Sequence, residues 1–231
     1  MRLTGLLAAG LLLTGWAAPG RAEPSKEEVA DGEAILAYVK ANKLDDKWHG
    51  PPTRLDTEEI RKAYPGCRAY HTFVAPPVRR FGGAAPSPAE VERDRRAAAD
   101  YQKQSLRMAF LVKDGKLTAL KDAADYNTGL MPIKGDDDAK TAAAAILSLR
   151  PLQQFAVPPA RVEADAVKIA KTDKGWTGTL PVKQDLQFRG SWAGAGTVVF
   201  DADGKVTEVA HALKHMPYLG PLPPSAPPRG K

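Results

Sequence analysis

The chain has 231 residues, with 33 Lys and Arg against 27 Asp and Glu, a formal net charge of +6, 43% hydrophobic residues and one cysteine. This composition excludes a disulfide-stapled miniprotein, a collagen and a wholly disordered chain, because these need many cysteines, periodic glycine or a much lower apolar fraction. What remains is a globular protein long enough to build its own hydrophobic core.

The N-terminus has the pattern of a secretory signal peptide. Arg2 precedes an apolar run over residues 3–16, and small residues follow at Gly20 and Ala22. Glycines interrupt the run, whereas a membrane-spanning helix needs about 20 predominantly apolar residues. We therefore predict a signal peptide over residues 1–22, cleaved near Ala22, and a periplasmic or extracellular protein with no stable membrane anchor.

Charge argues against nucleic-acid binding. Removal of the predicted signal peptide takes away two arginines and no acid, which lowers the net charge from +6 to +4. So small an excess lacks the dense basic stripe that neutralises phosphates. The expected partner is an unknown ligand or protein of the cell envelope, and the sequence leaves the oligomeric state open.

Residues 23–135 are predicted to form an N-terminal α+β half. Ser25 and Glu28 have capping-box spacing, and apolar residues recur at helical intervals, which predicts a helix over residues 25–42. The elements expected after it are a short helix over 57–64, a strand over 67–74, an exposed proline-rich loop over 75–88, a polar helix over 88–104, and a hairpin with strands over 106–112 and 116–120.

Residues 136–215 are predicted to form a helix followed by an antiparallel meander. Three aspartates precede the helix-forming run over residues 139–149, in keeping with the preference for acids at helix N-termini. The expected strands cover residues 162–171, 176–182, either 186–192 or 196–200, and 205–213. Residues 216–231 contain six prolines, which predicts a disordered proline-rich tail.

The pattern as a whole predicts an α+β fold, with antiparallel β-sheet meanders and helices packed on one face. The segments 114–120 and 203–209 match in residue type at most positions. This match leaves open two similar α+β halves, although Asp-Gly turns alone produce such similarity.

His211, His215 and Met216 are the candidate metal ligands. On a helix, the four-residue spacing would place both imidazoles on one face, and the thioether could add a soft ligand for copper. On a strand, the same spacing covers about 13 Å, too far for one metal ion. Because the preceding residues are predicted as strand, paired surface histidines are the favoured interpretation, and no cofactor is predicted.

No catalytic residue is predicted. A Gly-x-Ser-x-Gly elbow is absent, and Cys67 and His71 lie four apart on a predicted strand, too far for proton transfer. Cys67 is interpreted as a small buried residue or as a free thiol. An envelope-directed hydrolase, with residues assembled by the fold, remains the alternative function.

Trp176 and Trp192 are the candidate ligand-binding residues. Both lie on or near the predicted C-terminal meander, where an exposed pair could stack on a sugar or hold a peptide. The competing interpretation places them in the core, since each indole buries a large apolar area. The function predicted from sequence is an exported, non-catalytic binding or interaction protein, with a hydrolase or a His-based metal-binding protein as alternatives.

Overall fold

A computed structural model describes residues 24–44, 47, 49–72, 89, 92, 93, 96, 108–150, 162–185 and 191–216. The helices whose bounds are described are α1 (Lys26–Ala41), α2 (Glu58–Ala63) and α3 (Asp136–Leu149), with 3-10 turns at Ala123–Asn127 and Ala164–Ala166. The strands are β1 (Thr53–Leu55), β2 (Arg68–His71), β3 (Ala109–Lys113), β4 (Lys116–Leu120), β5 (Lys168–Thr172), β6 (Gly175–Asp185), β7 (Ser191–Asp201) and β8 (Val206–Met216).

The strands form two four-stranded antiparallel sheets, each in sequential order. The first contains β1 to β4 and the second contains β5 to β8. A long helix precedes each sheet in the chain, α1 before the first and α3 before the second. The predicted α+β class with antiparallel meanders is confirmed.

Helix α1 begins where the capping box predicted. The Ser25 hydroxyl accepts a hydrogen bond from the Glu28 backbone N–H, and the Glu28 carboxylate accepts one from the Ser25 N–H. The buried side chains of the helix are Asp31, Ile35 and Val39, spaced four residues apart. This spacing gives the helix one inward stripe, with a carboxylate at its N-terminal end.

The first hairpin also follows its predicted turn chemistry. Asp114 and Gly115 join β3 to β4, and both have positive φ, 50° and 73°. Positive φ at both central residues is typical of the two-residue turn that matches the twist of paired strands. Lys113 is therefore paired directly with Lys116 across the turn.

Helices cover both faces of the first sheet. One core cluster joins Ile35 and Val39 of α1 to Tyr70, Phe110 and Val112 of the sheet. The alternating residues Ala69, Ala109 and Leu111 enter a second cluster with α2, α3 and the second sheet. The predicted arrangement, helices on one face, therefore applies to the second sheet, whereas the first lies between α1 and the central core.

Helix α3 packs closely against the second sheet. A Cβ atom at Gly178 in β6 would lie 2.6 Å from the Ala143 Cβ, so glycine is needed for this approach. The three aspartates form the first turn of α3 instead of preceding the helix. The alternatives of a strand over 186–192 or over 196–200 are replaced by one strand, Ser191–Asp201.

Several predictions concern residues outside the described part of the chain. These include the signal peptide over 1–22, the loop over 75–88 and the tail after Met216, which itself ends β8. Of the predicted polar helix over 88–104, the described residues 89, 92, 93 and 96 are helical. No helix in the described ranges is long and apolar enough to cross a membrane.

Candidate functional site

The two faces of the second sheet differ in burial. Trp176, Val198 and Phe200 point towards α3 and belong to the core. The alternating positions on the other side are half-buried or exposed, and we call them the open face. Its uncharged described residues are Ala170, Thr177, Thr179, Pro181, Ala193, Ala195, Thr197, Val199, Ala210 and Ala212.

Strand register places these small side chains in rows. Thr179 is paired with Thr197, which is paired in turn with Ala210. Side chains on one face of neighbouring strands are in direct contact, so rows of alanine and threonine give a flat surface. Charged residues lie at its margins, on edge strands β5 and β8, at Lys168, Glu208 and Lys214.

Trp176 is a core residue, so the interpretation as an exposed ligand-binding pair does not apply to it. Its side chain is 8% exposed, and its indole N–H donates a 2.9 Å hydrogen bond to the Asp136 carboxylate. Lys171 Nζ lies 5.4 Å from the ring centroid. Trp192 lies on β7, where it is paired with Gln184 of β6 and His215 of β8. Trp176 is paired with Phe200, eight residues further along β7.

The candidate metal ligands all lie on β8, the last strand of the second sheet. At the rise of an extended strand, His211 and His215 are about 13 Å apart along the backbone. Within the described ranges, no group of three or more His, Cys, Asp or Glu residues could hold a metal ion. Metal binding by His211, His215 and Met216 stays a prediction, and the function proposed below does not include it.

His211 is half-buried, and its imidazole has no hydrogen-bond partner among the described residues. Both of its ring nitrogens are inaccessible to water and unpaired. The ring packs beside Gly196, where a Cβ would lie 3.0 Å from His211 Nδ1 and 2.9 Å from a Leu147 methyl group. Burial, with a smaller contribution from the Arg150 charge, lowers the pKa of His211 to about 4. The ring is consequently neutral at physiological pH.

Cys67 is a free, half-buried thiol packed against the central core. Burial raises its pKa, which keeps the sulfur protonated and weakens it as a nucleophile. His71 lies at the far end of the adjoining strand β2 and is itself buried. Cys67 therefore has neither the spacing to His71 nor the ionisation state that an activated nucleophile needs.

A buried polar cluster joins α1 to the first sheet, and the sequence analysis did not single it out. The Asp31 carboxylate accepts hydrogen bonds from Arg68 Nε at 2.6 Å, Arg68 Nη2 at 3.1 Å and the Tyr70 hydroxyl at 2.7 Å. Glu27 binds the same guanidinium at 3.1 Å from the solvent side. A sequence signal exists, because Asp31 occupies the inward stripe that continues through Ile35 and Val39.

The electrostatics of this cluster are those of a closed ion pair. Burial alone would raise the pKa of Asp31, but the hydrogen bonds from Arg68 and Tyr70 outweigh it and lower the pKa below its usual value. Burial and the bond to Asp31 raise the pKa of Tyr70. A carboxylate that is ionised and already bound by three donors is a poor general base. The cluster fixes α1 on the sheet.

Known protein families, curated proteins and solved structures were each compared with this chain, and none matches.

Proposed function

We propose that this protein is an exported, non-catalytic interaction protein that binds a protein partner of the cell envelope through the open face. The observation that supports this proposal is the unequal coverage of the second sheet. One face is buried against α3, while the other presents rows of small residues that are half-buried or exposed. Contiguous exposed apolar surface is a typical site of protein association, and the methyl groups of alanine, threonine and valine make up much of this face.

The shape of the open face favours a protein over a small molecule. Sites for small molecules are concave and enclose most of the ligand, whereas a pleated surface of alanine and threonine is flat. Flat contacts gain affinity from close packing over a large area, with uncharged residues at the centre and polar residues at the rim. Thr197 lies in the middle strands, and Glu208 and Lys214 lie on an edge strand, in agreement with that arrangement.

Export is supported by the pattern at the N-terminus, where an apolar run is followed by small residues at Gly20 and Ala22. Expression of the full chain in a bacterium, followed by cell fractionation and intact-mass measurement, tests this part. We expect the protein in the periplasm or medium, with a mass that begins at Glu23. A cytoplasmic protein that retains residues 1–22 would refute export.

A photo-crosslinking experiment tests the open face. A photoreactive amino acid replaces Ala195 on the open face or, as a matched control, the exposed Ala37 on α1. The full chain is expressed in its natural host and irradiated in intact cells. We expect a discrete adduct with one envelope protein from position 195, and no such adduct from position 37.

A second substitution distinguishes specific binding from chance proximity. Thr197→Arg places a long charged side chain at the centre of the open face, and Ala37→Arg makes the corresponding change on α1. The adduct from position 195 should be lost with Thr197→Arg and retained with Ala37→Arg, while both variants keep the wild-type circular dichroism spectrum. Equal adducts from both faces, or an adduct insensitive to Thr197→Arg, would contradict the proposal.

A further inference from the structure

Strand β8 is a long edge strand. It covers Val206–Met216, and among the described strands it pairs only with β7. Unpaired N–H and C=O groups at a sheet edge can bind another strand, and proteins usually shorten, charge or cover such edges. An edge of eleven residues is therefore long enough to pair with a strand of a partner.

The described part of the chain covers this edge at one point. Asn127 donates its side-chain N–H to the Val206 carbonyl at 3.1 Å, and its side-chain oxygen accepts the Val206 N–H at 2.8 Å. The amide thus occupies the place of a neighbouring strand beside Val206. Among the hydrogen bonds of the described residues, none reaches the outer edge of β8 beyond this position.

The register shows which backbone groups face outward beyond Val206. Glu208 is paired with Val199, whose carbonyl points to β8 and accepts the Thr207 hydroxyl at 3.3 Å. Paired residues in an antiparallel ladder face each other or face away together, so the Glu208 backbone also points inward. The register is irregular here, because Phe200 is paired with Val206 while Val199 is paired with Glu208, so the backbone groups of Val206 and Glu208 point to opposite sides of β8. Alternation from Glu208 then turns the N–H and C=O groups of Val209, His211 and Leu213 to the outer edge.

The sequence along this edge is complementary to itself. Residues 208–214 read Glu-Val-Ala-His-Ala-Leu-Lys, which is symmetric about His211 in residue type and opposite in charge at its two ends. We propose that β8 pairs antiparallel with β8 of a second copy of this chain, with a twofold axis at His211. Glu208 of each copy then lies opposite Lys214 of the other, and Val209 lies opposite Leu213.

Charge gives this register its specificity. Glu208 and Lys214 are exposed, and neither forms an ion pair within the described residues. Six residues of extended strand separate them by about 20 Å, so they cannot pair within one copy. In the twofold register they form two cross-strand pairs of opposite charge, whereas an offset of two residues removes both pairs.

The same register agrees with the backbone. The outward N–H and C=O groups are those of Val209, His211 and Leu213. The twofold axis pairs these three residues with the same three residues of the second copy, so every outward N–H meets an outward C=O. Asn127 ends the paired region at Val206. The result is one eight-stranded antiparallel sheet in which both open faces lie on the same side. This inference concerns the edge of the sheet and does not depend on a partner at the open face.

Charge reversal tests the proposal. The protein is expressed from the full-length sequence and used as purified, with or without residues 1–22 according to the processing in the cell. Sedimentation of the wild type at concentrations up to about 1 mM, a range that covers weak association, should show a monomer–dimer equilibrium. Glu208→Lys and Lys214→Glu should each weaken dimerisation roughly tenfold or more, because two attractive cross-strand pairs become repulsive. The double variant, Glu208→Lys with Lys214→Glu, should restore the wild-type dissociation constant.

Lys168→Glu is the matched control, because it makes the same charge change at an exposed position of β5, the opposite edge of this sheet. It should leave the dimer unchanged. Thermal unfolding confirms that each variant is folded. A wild type that stays monomeric refutes the proposal. So does a dimer whose dissociation constant is unchanged by both single reversals, and so does a folded double variant that does not regain the wild-type dissociation constant.

Discussion

The carboxylate of Asp31 is bound by three protein donors in place of water, two from Arg68 and one from Tyr70. We predict that Asp31→Asn lowers the free energy of unfolding by about 2–3 kcal/mol, because it leaves the guanidinium without its buried counter-charge. Glu27→Gln removes the exposed carboxylate from the same guanidinium and should cost less than about 0.5 kcal/mol. Urea denaturation measures both, and equal losses would contradict a special role for the buried bond.

His211 should make stability depend on pH. Its folded pKa of about 4 lies below the unfolded value of 6.5, so between these values the unfolded chain binds a proton that the folded chain does not. The contribution of neutral His211 to the free energy of unfolding is therefore complete above about pH 6.5 and decreases as the pH falls towards 4. We expect a loss of about 2 kcal/mol, which is less than the full shift implies because the side chain is partly accessible to solvent.

The variant His211→Phe isolates this effect, since it fills a similar volume and has no titratable group. Its free energy of unfolding should change less than that of the wild type between pH 7 and pH 4, as measured by urea denaturation at each pH. Identical pH profiles for the two proteins would show that the imidazole is already protonated or paired in the folded state.

At this scale, sequence reasoning identified residue types better than residue environments. The position of Asp31 on an apolar stripe was visible in the sequence, but its partner Arg68 lies 37 positions away. The sequence does not decide whether Trp176 is exposed or buried, because its hydrogen-bond acceptor, Asp136 of α3, lies 40 positions earlier in the chain. Such partners come from the tertiary fold, which local spacing does not encode.

The contact between α3 and β6 depends on one glycine. A Cβ at Gly178 would lie 2.6 Å from the Ala143 Cβ, so Gly178→Ala forces the helix away from the sheet. We predict a loss of about 1–3 kcal/mol in the free energy of unfolding. Adding Ala143→Gly removes the clash, so the double variant should be more stable than the sum of the two single changes predicts.

Gly32→Ala is the matched control for this prediction. Gly32 lies within α1, and nothing is within 4 Å of a Cβ built there. This substitution should therefore stabilise the protein by about 0.5–1 kcal/mol through helix propensity alone. Additive effects at Gly178 and Ala143 would show that the helix and the strand are not in close contact.

Elements with a chemical signature at their ends were predicted from sequence. The capping box of Ser25 and Glu28 located α1, and Asp114–Gly115 located the first hairpin. Strand β1 escaped prediction because three residues are too few to show a period. For strand β7 the sequence predicts only two alternatives, 186–192 or 196–200, because glycines weaken the strand pattern between them, although the fold needs Gly196 beside Leu147 and His211.

Long-range contacts connect the two sheets through one core. The central cluster contains residues of α2, α3 and both sheets, and Asn127 binds Val206 across 79 positions of the chain. The predicted boundary at residue 136 coincides with the start of α3, but that helix packs against both α2 and the second sheet. The sequence does not show this shared core, because an apolar pattern predicts that a residue is buried but not which sheet it packs against.

A shared core predicts one cooperative unfolding transition. Leu111 lies in the first sheet and Phe200 in the second, and each is 1% exposed within the same cluster. Leu111→Ala should lower the free energy of unfolding by about 2–5 kcal/mol and Phe200→Ala by about 3–5 kcal/mol, because each leaves a cavity. Since the sheets unfold together, each variant should lower the hydrogen-exchange protection of the amides in both sheets.

Hydrogen exchange followed by mass spectrometry distinguishes this behaviour from independent unfolding. Amides of β3 and β7 should lose protection by the same factor in Leu111→Ala, although β7 is far from the substitution in sequence. Lys116→Ala, at an exposed position of β4, should change neither. If Leu111→Ala lowered protection in β3 while β7 kept its wild-type protection, the central cluster would not couple the sheets, and each half would unfold as a separate unit.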